Sequence, residues 1–530
     1  MKSMPFWGWF WKGSLIMEIK KLWKEEWKKT PEFAAVVSAL TYGLLVHLFA
    51  LTNLLHNHDN IASQPGGYGI GAPLGRWFLE ILGRFCDKAG LNYNLPSVNG
   101  LAYILLLAAA AAFLVSALGI RSRLSAVLAG ALFVAFPTVS ATMIYRFTAV
   151  FYGIAALLAV MAPWILRRFR WGLAASAGLL ALSMGIYQAY APLTISLFVL
   201  QLICDGLRGE TDVKTLVCRG LYDCLALILG LGLYFAGMHL CVAVFDMPLM
   251  EYQGVSTMGS LSLSQLPRLV VNALRASCLL PLRDYLGLAN RALMRIAYLL
   301  LAVTTVLLVA RILVKRVRNI GTSVIICLLW VAFLLAVGFI EVMVPDGNLH
   351  TLMTYSFCLL ACAPLAVLEC IPEGDRRNLY EKCCTGAASL LVAVLVLFYG
   401  YYGNVNYVAA NLAGEQVSNY LNRVVAQATM TEGYTTDKKW ALIGEIQDPL
   451  LGGPWNDEIT YPVYGFTEFL LNEYSRNDWI KNYIGYDVPR ADQQTLEALA
   501  ASDAVRAMPC YPNAGSIAII GDMVVVKFGN

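Results

Sequence analysis

The segment His56-Asn57-His58-Asp59-Asn60 sets one carboxylate directly behind the first long apolar run of the chain. An acid at that depth meets lipid headgroups and can take a proton from a hydroxyl bound there. Sugar transfer out of a phosphate ester needs only one such group. The phosphate is already a competent leaving group, so the protein must supply a base for the acceptor hydroxyl and cations for the phosphate that departs. Glycoside hydrolysis asks for more, because an alkoxide leaving group normally needs a second carboxyl as acid. Asp59 is the candidate base, with His58 and His56 either orienting it or standing as solvated loop residues. Arg76, Arg146 and Arg283 are the candidate phosphate partners, since a guanidinium fork matches phosphate oxygens.

Other polar residues stand at the ends of apolar runs. Arg146, in Tyr145-Arg146-Phe147, sits where drawing a charge into hydrocarbon costs ~2.5–3.5 kcal/mol, so it must snorkel or pair. Tyr187-Gln188-Ala189-Tyr190 separates two runs with almost no loop and holds hydroxyls and an amide at membrane depth. Tyr252 with Gln253, and Glu341 and His350 flanking Asp346, add further outward groups. Such side chains suit a sugar, although Tyr at the end of a span is equally the ordinary belt residue of a membrane interface.

These residues need a scaffold, and composition says of what kind. The chain has 530 residues, 58% of them hydrophobic and 14% charged, with mean hydropathy +0.61, which excludes a soluble globule. Apolar runs of spanning length fall at 33–54, 98–118, 123–143, 148–166, 171–187, 189–206, 220–245, 292–314, 321–341, 351–370 and 385–404, about eleven membrane helices in all. Basic residues in short loops stay on the cytoplasmic side. With the N-terminus inside, the inner loops hold Arg121 and Arg123, Arg167 to Arg170, Arg208 to Arg219, Arg311 to Arg318, and Arg376 to Lys382. Asp59 and everything after residue 405 then face outward. The loop 246–291, with Arg268, Arg275, Arg283 and Arg291, runs against the trend. The net charge of +4 resides mostly in these loops and implies no nucleic-acid surface.

Three regions follow: a cytoplasmic amphipathic segment at 1–32, a transmembrane domain at 33–404 with its first outer loop at 55–97, and a small extracytoplasmic α/β domain at 405–530. In the first, Leu15, Ile16, Ile19, Leu22, Trp23 and Trp27 share a helical face opposite Lys20, Lys21, Lys24 and Lys28. In the outer loop, residues 73–88 read as a helix lying flat on the leaflet, with Pro73 in its first turn. Leu74, Trp77, Phe78, Ile81, Leu82 and Phe85 form one face, and Arg76, Glu80, Arg84 and Lys88 recur every four residues on another. There Arg76 either pairs with Glu80 as an interfacial anchor or receives a phosphate. The glycine-rich stretch 64–71 before it suits a loop that covers a substrate. In the last region, 406–429 reads as helix, Trp440 to Ile446 as a strand, and Ala514 to Phe528 as a hairpin about Gly521-Asp522. The thirteen cysteines show no disulfide spacing, and Cys383-Cys384 has no companion ligands for zinc.

Asn57-His58-Asp59, Gly75-Arg76-Trp77-Phe78 and Gly185-Ile186-Tyr187-Gln188-Ala189 together resemble the Gtr type II family of O-antigen glucosyltransferases, within the C-type (GT-C) superfamily. The resemblance covers mainly residues 35–400. It implies an all-α, GT-C-like polytopic membrane fold with interfacial helices. It also implies transfer of glucose or another hexose from a polyprenyl-phosphate carrier to a surface or lipid-linked polysaccharide, on the outer face of the bacterial cytoplasmic membrane. The superfamily's acid in the first outer loop carries over to Asp59. Many relatives place a second acid beside it, whereas Asn60 stands here, which favours a reaction without metal or other cofactor and leaves a divalent metal as the alternative. The rival from another class is a transporter or flippase for lipid-linked sugars, which would gather charges and broken helices near the midplane. A polysaccharide polymerase or ligase shares nearly all of these features.

Overall fold

The computed structural model describes residues 25–57, 59, 61, 65–209, 211–250, 264–280, 282, 288–289, 291–317, 319–344, 349–371, 378–446 and 470–529. Most of the expected amphipathic segment before residue 25, together with His58, Asn60, Tyr252, Arg283 and Asp346, lies outside them.

Nine helices among the described residues are long and apolar enough to cross a membrane, and two shorter apolar helices, Gly172–Ile186 and Tyr355–Leu368, stand where two further spans are expected. Their outward faces are greasy: Leu45, Ile228 and Leu240 are each 67% exposed. Bare Leu and Ile in such rows would be an aggregation surface in water and are ordinary against lipid. The chain is a membrane protein.

The chain divides into two compact units. The larger takes residues 68–404 together with the first span. Its helices that matter here are α1 (Pro31–Thr52), α2 (Trp77–Lys88), α3 (Pro96–Leu118), α4 (Arg123–Ala135), α5 (Pro137–Ile144), α6 (Arg146–Leu166), α7 (Gly172–Ile186), α8 (Ala191–Leu207) and α9 (Val213–Phe245). Helix α3 packs on α6, α6 on α7, and α7 on α9, while α2 lies against both α7 and α9. The run expected as a single span at 123–143 is one of the nine, Arg123–Ile144, and it is interrupted at Phe136 between α4 and α5. Pro137 has no N–H to give, and it holds Phe136 in an extended conformation (ψ 144°). At the far ends of α6, α8 and α9, Arg167 joins Asp205 (3.3 Å) and Asp223 (2.6 Å), and Asp205 also takes Arg219 (2.7 Å) and Arg208 (3.3 Å).

Helix α2 corrects the sequence-based picture in two ways. Pro73 belongs to a separate 3-10 turn, Ala72–Leu74, closed by Gly75 in the left-handed region (φ 70°), so the helix begins at Trp77. The apolar stripe also divides: α2 buries Leu79, Glu80 and Gly83 against the protein, and it leaves Ile81 43% and Phe85 66% exposed.

The helix Leu379–Thr429 (α10) has 51 residues, so the helix expected at 406–429 is the continuation of the last span rather than a separate element. From Val405 onward α10 belongs to the smaller unit, with residues 52–67 and the C-terminal residues. There Val417, Tyr420, Leu421 and Val424 pack with Trp440, Val524, Val526 and Phe528. The sheet has β1 (Lys439–Ile443) parallel to β3 (Met523–Lys527), which pairs antiparallel with β2 (Ile517–Ile520) across the turn at Gly521. The helix Glu473–Trp479 (α11) turns Arg476 inward, where it donates to the carbonyls of Leu442 (2.7 Å) and Gly444 (2.6 Å).

The exposed stripe on α2 yields a direct test. In liposomes, Phe85→Trp is expected to add blue-shifted emission that doxyl-labelled lipid quenches and acrylamide does not. Quenching by acrylamide alone would put that face in water.

Candidate active site

The two glycine-led motifs, far apart in sequence, interlock in space. Trp77 lies on α7 and α9 where each presents a glycine. A Cβ on Gly185 would stand 2.8 Å from the Trp77 ring and 2.9 Å from Phe78 Cβ, and one on Gly237 would stand 2.7 Å from the same ring. Gly75 sits beneath Tyr234 and Gln188, where a Cβ would meet Tyr234 Oη at 2.8 Å and Gln188 Nε2 at 3.1 Å. Its left-handed backbone already favours glycine. The Gln188 amide donates to the Leu74 carbonyl (2.7 Å) and the Tyr234 hydroxyl (3.1 Å), which ties the 3-10 turn to the break after α7. That break is Tyr187 itself, extended at φ −155° and ψ 113° between α7 and a single 3-10 turn, Gln188–Tyr190.

Tyr187 thereby becomes the platform for Arg76, whose guanidinium carbon lies 4.8 Å from the ring centroid. A cation near an aromatic face is stabilised by about 0.5–2 kcal/mol. The same ring stacks on Tyr152 at 4.6 Å and 7°, and Tyr190 meets both edge-on. Arg76 is half-buried and caps the start of α2, so its charge is held by a rigid aromatic stack rather than swinging in solvent.

Glu80, which the four-residue spacing offers as a partner for Arg76, faces elsewhere. It accepts from Arg84 Nε (2.6 Å), the Tyr68 hydroxyl (3.1 Å) and the Ala72 N–H (3.2 Å), and it is 2% exposed. One carboxylate thus holds both ends of the loop before α2. Burial and the neighbouring Glu80 carboxylate push the Tyr68 phenol up to about 12. It stays protonated, and its donation to Glu80 is lost only as pH rises through that value. Any side chain at Gly71 would strike Glu80, and one at Gly83 would strike the Tyr68 ring. Sequence pattern does not single out Glu80 or Tyr68 as site residues. The available signal is the pair of glycines before and within α2, which only make sense beside bulky neighbours.

The remaining residues stand as follows. Arg146 is fully buried at the start of α6, donating to Asn94 Oδ1 (3.2 Å) and the Ala50 carbonyl (3.1 Å). Its neighbour Tyr145 forms the buried joint between α5 and α6. Glu341 is half-buried beyond the helix Ile320–Val337, and burial raises its carboxyl above the ordinary value. His350 precedes a 3-10 turn, and its carbonyl accepts the Met353 N–H at 2.9 Å. In the smaller unit, Asp59 is half-buried in a turn where its N–H donates to Asn57 Oδ1 (2.9 Å) and the Ile61 N–H to the Asn57 carbonyl (3.1 Å). The structure therefore brings together Arg76, Tyr187, Gln188 and Tyr190. It places Asp59 in the other unit.

Residues 48–361, more than half of the chain, match the family model described as glucosyl transferase GtrII. The chain belongs to the GtrII glucosyl transferase family. No curated protein and no solved structure matches it. Membership makes the protein a membrane glycosyltransferase acting on a sugar donor and an acceptor, and the interlocked motifs both lie inside the matched region.

The close fit of Trp77 predicts that Gly185→Val destabilises the protein by roughly 1–3 kcal/mol, the usual cost of overpacking. On the same helix, a Cβ added at Gly178 would meet nothing within 4 Å, so Gly178→Val is expected to leave the thermal midpoint in detergent unchanged. Equal effects at the two glycines would deny the interlock.

Proposed function

We propose that the protein transfers glucose or another hexose from a polyprenyl-phosphate carrier to a surface or lipid-linked polysaccharide, as a GT-C enzyme on the outer face of the bacterial cytoplasmic membrane. The acceptor hydroxyl gives its proton to Asp59 as its oxygen bonds to the anomeric carbon of the sugar. The bond from that carbon to the phosphate oxygen breaks, and polyprenyl phosphate leaves with the electron pair. A base of this kind contributes about 10²–10⁴-fold. The departing phosphate gains charge, and a preorganised cation stabilises it most where water is scarce.

The observation that supports this function best is the seating of Arg76. A guanidinium fixed on Tyr187, at the head of a helix whose Ile81 and Phe85 face outward, suits a phosphate presented from a lipid. Tyr187 and Tyr190 are buried, and they serve the sugar through the seat they build for Arg76 rather than by a bare ring face. Gln188 acts on this footing as a positioning residue, since its amide nitrogen is already committed. Arg146 serves in the same way, bound by the Asn94 and Ala50 oxygens. The carrier's chain is assigned to an apolar cavity of about 570 Å³ lined by Tyr298, Leu301, Val309, Leu313, Trp330 and Phe333. From Tyr298 to Leu313 it follows about 22 Å of helix. The reaction is proposed to run without metal, Asn60 standing where a second acid would help hold one; His58, Tyr252, Arg283, Glu341 and His350 remain candidates for contact with the sugars.

In proteoliposomes supplied with polyprenyl-phosphate glucose and candidate glycans, mass spectrometry is expected to find a hexose added to acceptor. Asp59→Asn should reduce turnover at least a hundredfold with unchanged thermal stability, and wild-type turnover in that variant would remove Asp59 from the chemistry. Arg76→Ala should raise the donor KM about tenfold or more, with Arg76→Lys recovering part of it; an unaltered donor KM would leave Arg76 as an anchor. Activity should survive a chelator, and loss reversed by Mg²⁺ or Mn²⁺ would assign a metal instead.

A further inference from the structure

Within the smaller unit, a polar groove of about 300 Å³ is lined by His56, Asn411, Gly414, Glu415, Ser418 and Asn419. We propose that this groove binds the acceptor glycan, an inference that rests on the transferase function above. Its volume is at the lower end of the roughly 300–1,000 Å³ typical of ligand clefts, which suits a short stretch of glycan.

The lining decides the ligand class. It offers two amides, a hydroxyl, a carboxylate and an imidazole, and no aliphatic side chain. Closely set donors and acceptors match the hydroxyls of a sugar. A carboxylate in a lining that holds no lysine or arginine disfavours the donor's phosphate, and the lack of apolar lining disfavours its hydrocarbon tail. Residues 411, 415, 418 and 419 recur at helical spacing on one face of α10.

A merely solvated helix face would need no further support, yet this one is built. Asn411 Nδ2 donates to Glu415 Oε1 at 2.9 Å, and the indole N–H of the fully buried Trp479 donates to Ser418 Oγ at 3.1 Å. The His56 ring is held edge-on by Trp479 (4.7 Å) and Tyr483 (4.3 Å). It approaches α10 only because residue 414 is glycine, where a Cβ would stand 2.7 Å from His56 Cδ2. The Ser418 hydroxyl and the His56 ring are thereby held in place, with Glu415 and Asn419 exposed beside them, and groups already ordered lower the cost of binding.

Its place along the chain gives the groove a use. His56 is three residues from Asp59, so their Cα atoms lie within about 11 Å by chain length alone. The turn made by the Asn57 carbonyl and side chain shortens that further. A glycan seated against His56 has a hydroxyl within a sugar's length or so of the candidate base.

The test uses full-length protein in nanodiscs, probed with an array of bacterial surface oligosaccharides and, separately, in the transfer assay. The wild type and Asp59→Asn are both expected to retain at least one arrayed glycan, and the double variant Asn411→Ala/Asn419→Ala to lose that retention at least tenfold. The same double variant should raise the acceptor KM at least tenfold with the donor KM unchanged. Gly414→Ala, which displaces the imidazole, should act in the same direction if the double variant fails to fold. Retention of no glycan by the wild type, or equal retention by the variants, overturns the groove as the acceptor site. A wild type that retains glycan through these residues yet transfers no hexose would overturn the catalytic proposal instead.

Discussion

Trp77 can lie between α7 and α9 only because Gly185 and Gly237 carry no side chain beneath it. From that contact the residues around the head of α2 take their geometry. With Trp77 seated, the entry of α2 is fixed, Gly75 is forced under Tyr234 and Gln188, and Arg76 is delivered to the Tyr187 ring. Interiors at this packing density tolerate little displacement, so the position of one cation depends on the absence of two methyl groups.

The polar contacts around that junction are few and specific. Gln188 spends its amide on a backbone carbonyl and a tyrosine hydroxyl, and Glu80 gathers a guanidinium, a phenol and a backbone N–H. Buried groups of this kind are costly when left without partners and hold loops firmly when satisfied. Here they tie the glycine-containing approach to α2 onto the helices, and Arg76 stands at the head of α2 against the Tyr187 ring. The proposed glycosyl transfer asks for a division of labour, with a rigid cation for the leaving phosphate and a separate carboxylate for the incoming hydroxyl.

Asp59 belongs to a different part of the molecule's construction. It sits in a short turn whose neighbours His56 and Ile61 are packed on Trp479, Tyr483 and the core of the smaller unit. The carbohydrate chemistry proposed for that unit is polar, whereas that proposed for Arg76 is cationic and lipid-facing. A lipid-borne donor and a hydrophilic acceptor call for such unlike surroundings.

Span positions are legible from sequence because crossing hydrocarbon is a local property of length and hydropathy, and the described helices fall where the apolar runs do. The hairpin about Gly521 is legible for a similar reason, turn chemistry and alternation acting over a few residues. Periodicity, however, says only that a helix has two faces. On α2 the polar side with Glu80 turns to the protein while Ile81 and Phe85 turn away, because a bilayer covers apolar side chains as well as a core does. The partner of Glu80 likewise cannot be chosen by spacing, since Arg76 and Arg84 both stand four residues from it and only the approach of Tyr68 and Ala72 selects one. Chain order alone offered candidates whose types suit chemistry at a membrane edge; which of the described residues meet was decided by steric room at glycines scattered from residue 71 to residue 237, a property that no single segment contains.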